Sequence, residues 1–131
     1  MGLENGIVIK NVTRKQIPFF WPFRFPHDKD LDGDAEICYW PKCWGLREII
    51  LLDILHTNDE GDEYPLTTGN VKRIETVIRK YIKQPDWWES RSFWTYDEAK
   101  YMLHTNVWNL WWLRLWMLLH KKETVVFYDS F

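Results

Sequence analysis

The chain has 131 residues, 46% of them hydrophobic and 27% charged, with a formal net charge of −2. That length suits one domain with its own core and no disulfide framework. The balance of charge excludes a global basic field that would draw the chain to nucleic acid or to an anionic membrane. Ten Trp, seven Phe and six Tyr supply rings that bury roughly 150–250 Å² each. So small an interior needs fewer, and some of the rings are expected to face a partner.

The charge is spread unevenly. From Pro26 to Glu63 there are eleven acids against three bases, a net of −8. From Leu66 to Lys122 there are ten bases against five acids, a net of +5. Such a chain presents two solvated regions of opposite sign, or a docking surface with polarity. The opening MGLENGIVIK carries no apolar run of the kind a secretory leader needs. The longest apolar run, Val107 to Leu119, is interrupted by Asn109 and Arg114 and falls short of the roughly 20 residues a bilayer span requires. The chain is expected to be soluble and cytoplasmic.

Taken in order, residues 6 to 12, GIVIKNV, predict a strand. Residues 18 to 25, PFFWPFRF, are aromatic and extended. Pro18 and Pro22 restrict them to an edge strand or an irregular ribbon. Residues 35 to 40, AEICYW, are the expected antiparallel partner of that segment, with the acidic loop PHDKDLDGD between. A helix is predicted from about Lys42 to His56, with Leu46, Ile50 and Ile54 on one face and Gly45 weakening its first turn. A buried strand over Ile49 to Leu55 is the alternative. Asn58 to Pro65 is a polar loop. Thr67 or Thr68 caps a second helix, running to about Ile82 on the stripe Val71, Ile74, Ile78, Tyr81 and Ile82. Gln84 to Trp94 is a connection in which Trp87 and Trp88 sit among polar residues.

Residues 95 to 122 predict a long helix, capped by Thr95 with Glu98 reaching back. A bend or break is expected near Asn106 or Asn109. Past that point the sequence is apolar on nearly every side, which is the pattern of a helix buried all round. This helix is therefore expected to be the centre of the core. Val125 to Tyr128 predict a last strand. The order β, β, β, α, α, α, β argues for an α+β fold, a small antiparallel sheet packed on a three-helix layer with a long, central, Trp-rich C-terminal helix.

Chemistry is sparsely signposted. The run Asp28-Lys29-Asp30-Leu31-Asp32-Gly33-Asp34-Ala35-Glu36 places carboxylates at alternate positions before and after a Gly. It resembles the first half of an EF-hand loop: Asp28, Asp30 and Asp32 match positions one, three and five, and Gly33 matches position six. Tyr39 stands where that family has a bidentate Glu, and Pro22 and Pro26 oppose a preceding helix. The resemblance covers nine residues and implies Ca²⁺ held by Asp28, Asp30, Asp32, Asp34 and Glu36; otherwise the segment is a solvated acidic hairpin loop, and no cofactor is expected. Cys38 and Cys43 lack the paired spacing of a zinc site and predict half-buried free thiols. Asp53 and His56 are three apart on one helix face, the spacing of an ordinary surface pair. No phosphate loop, nucleophile elbow or metalloprotease motif is present.

Arg114 is a charge within the most apolar segment, so it needs an acid partner or an anionic ligand. A structural salt bridge is the simpler expectation. The alternative is a small-ligand site, an anion pocket walled by Trp rings around Arg114 and Trp111. The leading expectation is a non-enzymatic binding protein with an aromatic, charge-polarised surface for a protein partner. Small size, many Trp and the lack of a catalytic motif fit an accessory protein of a phage or mobile element. The candidate contacts are Trp87, Trp88, Asp59, Glu60, Asp62, Lys72, Arg79 and Lys83. Nucleic acid is not the expected partner, because net acidity and the absence of any recognition motif oppose it.

Overall fold

Two short β-branched runs, Ile7–Ile9 and Val125–Val126, pair at the centre of a sheet. The computed structural model describes residues 4–41, 43–57, 61–84 and 96–130. Strand β1 (Glu4–Ile9) lies between β2 (Ala35–Pro41) and the C-terminal strand β4 (Val125–Ser130). The three-residue β3 (Glu63–Pro65) adds to the far side of β4, so the order is β2-β1-β4-β3, antiparallel throughout. Inward residues Ile7, Ile9, Cys38, Trp40 and Phe127 are sealed from solvent and enter one continuous apolar core. The fold is α+β, with helices over this inner face.

A β-bulge interrupts the β1–β2 ladder. Ile7 pairs with Cys38 and Val8 with Glu36, which leaves Ile37 as the extra residue. A bulge re-aims the side chains that follow it. Here it brings Glu36 and Tyr39, three apart, to the same open side of the sheet.

Helix α1 (Trp44–Glu48) runs directly into a π-helical turn, Ile49–Ile54. Leu46, Ile50 and Ile54 are buried as their spacing predicts. Arg47 of α1 is also buried: its Nε and terminal nitrogen donate to the two Asp129 oxygens at 2.8 Å each, and Asn5 Nδ2 donates to the same carboxylate at 2.6 Å. This bidentate geometry fastens α1 to the end of the sheet. Helix α2 (Thr68–Ile82) starts at Thr67, whose hydroxyl accepts from Asn70 N while Asn70 Oδ1 accepts from Thr67 N. That reciprocal cap satisfies two backbone donors. Val71, Ile74, Ile78 and Tyr81 are buried.

Helix α3 (Tyr96–Leu119) has 24 residues, about 36 Å. It is unbroken, which corrects the expected break at its asparagines. Asn106 and Asn109 are instead buried inside it and bond outward to other elements. The expected Thr95 cap lies outside the described residues. The segment 18–25 is not a strand, and the partner of β2 is β1. Its prolines remove ladder donors, and the chain lies along α3 as an irregular ribbon. There Pro22 O accepts from Trp108 Nε1 at 2.6 Å, and Trp21 meets the rings of Trp112 and Trp116 edge-on. β3 falls in the segment expected to be wholly loop. Cys38 and Cys43 form no disulfide, and both are fully buried rather than half-buried.

The larger correction concerns the burial of α3. Leu103, Leu110, Leu113 and Trp116 are in the core, but Trp108, Trp111, Leu115, Leu118 and Leu119 are exposed. Truncating the two kinds of Trp should therefore differ. Trp116→Ala should lower unfolding free energy by roughly 3–5 kcal/mol. In dilute solution Trp111→Ala should cost much less, about 1 kcal/mol. Denaturant titration checks both, and equal losses would contradict this assignment of faces.

Candidate functional site

The outer face of α3 is the first surface of interest. Two asparagines set its direction. Asn109, fully buried, donates through Nδ2 to Arg24 O at 2.7 Å and Ile37 O at 2.8 Å, and its Oδ1 accepts from Arg24 N at 2.8 Å. Asn106 donates to Tyr39 O at 3.1 Å and accepts from Tyr39 N at 3.3 Å. These bonds point one side of α3 at the edge of β2. At about 100° per residue the opposite side carries Tyr101, His104, Trp108, Trp111, Leu115 and Leu118. All six are exposed.

The two shoulders of this stripe are covered. On one side the ribbon of residues 18–25 sets Trp21 edge-on to Trp112 and the Arg24 guanidinium 4.5 Å from the centre of the Trp108 ring. On the other side α2 supplies Glu75, which is buried and accepts from Arg114 at 3.1 Å and Arg79 at 2.8 Å. The stripe is thus apolar along its middle and charged at its margins. Phe19 and Phe20, at the start of the ribbon, are 99% and 71% exposed.

Arg114 is therefore answered by an acid, and its ion pair joins α3 to α2. Trp111 lies on the exposed stripe, 45% accessible. Lys72 and Lys83 are exposed on or just after α2, and Arg79 is paired with Glu75 on the same helix. Asp62 is exposed beside β3, on the other side of the molecule. Asp59, Glu60, Trp87 and Trp88 lie outside the described residues.

The second surface is a cleft of about 740 Å³ on the open side of the sheet. Its centre is Glu36, whose carboxylate is almost wholly buried and joins the His27 imidazole at one oxygen and the Tyr128 hydroxyl at the other. The His27 ring packs against Tyr39, 4.4 Å between centroids, and Tyr39 donates to Glu4 at 3.2 Å. Lys10 bridges Asp34 and Glu63 at 2.9 Å each. Gly6 makes this packing feasible. It sits opposite Tyr128 on the neighbouring strand, and a Cβ there would fall 2.7 Å from the Tyr128 ring. Sequence reading missed the trio of His27, Glu36 and Tyr128, which are joined only by the bulge and the β1–β4 pairing. The alternation of Gly6 and Val8 in a strand was the available hint.

The acidic loop folds as a tight turn. Leu31 and Asp34 exchange backbone bonds at 2.9 and 3.0 Å, with Asp32 and Gly33 at φ 52° and 84°. Two successive left-handed residues are what a two-residue hairpin turn requires, and Asp-Gly supplies them. Asp30 accepts from Arg14 N at 2.8 Å, and Asp34 accepts from Asn11 N at 2.7 Å. The Asp28 carbonyl accepts from the Arg14 guanidinium. Asp32 and Asp34 line the cleft with Glu36. Among the described residues no three metal-ligating side chains converge as a metal ion would need.

Two phenols in the cleft resist ionisation. Burial, with the Glu36 carboxylate second, pushes Tyr128 far above its ordinary value. Burial, with Glu4 second, pushes Tyr39 up to about 12. The folded protein thus holds these protons more tightly than the unfolded chain does. Their contribution to stability is complete below the ordinary phenol value of about 10 and is lost as pH rises past it. Tyr128→Phe should flatten the fall in melting temperature above that pH, as followed by circular dichroism. An unchanged alkaline slope would sink this account of Tyr128. Gly6→Ala, whose Cβ would collide with the Cys38 carbonyl oxygen and also crowd the Tyr128 ring, should destabilise by about 1–3 kcal/mol. No protein family, curated protein or solved structure compared with this chain gives a match.

Proposed function

We propose that the chain is a non-enzymatic binding protein that docks a protein partner on the outer face of α3. The observation that carries this reading is the exposed row Tyr101, Trp108, Trp111, Leu115, Leu118 and Leu119. Solvent-exposed apolar patches of several hundred Å² mark interaction sites on soluble proteins. Trp and Tyr are the residues that most often dominate binding energy once water is excluded. The basic side chains of α2 and the acids around the sheet's open side supply polarity that would orient an approaching partner. An accessory role of the kind small phage or mobile-element proteins play fits a chain that acts by contact. No helix among the described residues is long and apolar enough to cross a membrane.

A small-ligand function has its support in a different place from Arg114. The sheet-side cleft is concave, and it offers an imidazole held by a buried carboxylate. A ligand there would leave the α3 surface bare, so the two readings separate by position.

The docking reading is tested by installing a photo-crosslinking amino acid at position 111, and separately at position 72 on α2, in cells that make the protein. Irradiation should join polypeptide to position 111 and not to position 72. An absence of polypeptide adducts at position 111 would sink the reading.

A further inference from the structure

We infer that the occupant of this face is a second copy of the same chain, packed antiparallel along α3. The inference rests on the docking reading above and names its partner. The exposed residues Tyr101, His104, Trp108, Trp111, Leu115 and Leu118 are spaced three, four, three, four, three. That alternation is the seam one helix presents to another, narrower than the wide apolar band a flat surface would need. It runs for five turns on the side of α3 that the chain's own core leaves uncovered.

The seam is self-complementary in one direction. Set antiparallel about a two-fold axis between residues 109 and 110, Trp108 of each copy meets Trp111 of the other. His104 then meets Leu115, and Tyr101 meets Leu118. Beyond these layers, Asp97, exposed in the first turn, comes towards the turn after the other copy's last, where Lys122 is exposed. Opposite charges thus close both ends, and the helix dipoles oppose each other favourably. A parallel arrangement would instead set Asp97 beside Asp97. Lys100 and Lys121 come to the same flank in the antiparallel alignment, at the rim, where solvent screens their repulsion.

The area is adequate. The exposed parts of these side chains and of Leu119 offer at most roughly 700 Å² per copy, against the roughly 800 Å² each partner gives to a standard stable interface. Trp108 and Trp111 sit at its middle, where binding energy concentrates.

The test is the mass of the full chain in solution, measured by light scattering and sedimentation across a dilution series. A species of twice 16.1 kDa should appear and dissociate on dilution. Trp111→Glu should weaken it by roughly 30-fold or more, with unchanged far-ultraviolet circular dichroism showing that the monomer still folds. Asp97→Lys and Lys122→Asp should each weaken the dimer, and the double variant should restore it, a rescue that only the antiparallel register gives. A chain monomeric at every concentration overturns the inference. Heterologous adducts at position 111 would then leave the docking reading standing. A dimer indifferent to Trp111→Glu, or one that the charge exchange fails to rescue, also overturns it. A monomer that binds phosphatidylcholine–phosphatidylserine vesicles through Trp111, without polypeptide adducts at position 111, would overturn both.

Discussion

The roll of α3 about its own axis is fixed by two amide side chains, and much of the molecule's outward character follows from that. Asn106 and Asn109 serve the outer edge of β2 as a neighbouring strand would, giving and accepting bonds at Tyr39 and giving one at Ile37. An amide buried without partners would cost on the order of 1–3 kcal/mol, so a helix rotated away from β2 would forfeit several bonds together. Asn109 also holds Arg24 at both its N and its O. The ribbon is thereby laid against the same helix. One constraint thus places β2, the ribbon and the bare stripe of Trp and Leu relative to one another.

Where periodicity carried the information, the sequence was legible. The stripe Val71, Ile74, Ile78 and Tyr81 predicted α2 and its buried side, and Thr67 capped it. Ile7–Ile9 and Val125–Phe127 were recognisable as strands. The pairing was not legible. PFFWPFRF and AEICYW read as neighbours because a loop joins them, whereas β2 found β1, whose continuous β-branched run offers an unbroken set of donors. The acidic Glu63-Tyr64-Pro65 escaped recognition because three residues show no alternation worth counting.

The burial of α3 is not legible in the sequence, for a physical reason. Apolar residues on all sides say that a helix prefers cover all round, but they do not say that one chain supplies it. In the sequence the asparagines are polar interruptions, which suggest weak points. Their partners lie 67 to 85 residues away in the chain, beyond what any local pattern encodes. The same holds for the sheet-side cleft. His27, Glu36 and Tyr128 become neighbours only after the bulge at Ile37 turns Glu36 to the side where Gly6 has left space for a phenol.

The edges of the sheet carry a consequence for how this chain can assemble. An open strand edge is a template on which another chain can add a strand, the route to runaway β-aggregation. On the β2 side the outward groups of Ile37 and Tyr39 are occupied by amides of α3. On the opposite side the edge strand is three residues long and ends in Pro65, which has no backbone donor to offer. Backbone-directed growth is thus discouraged at both ends of the sheet. The proposed association would use side chains on a helix, where a closed pair satisfies the surface and a growing fibre gains no further template.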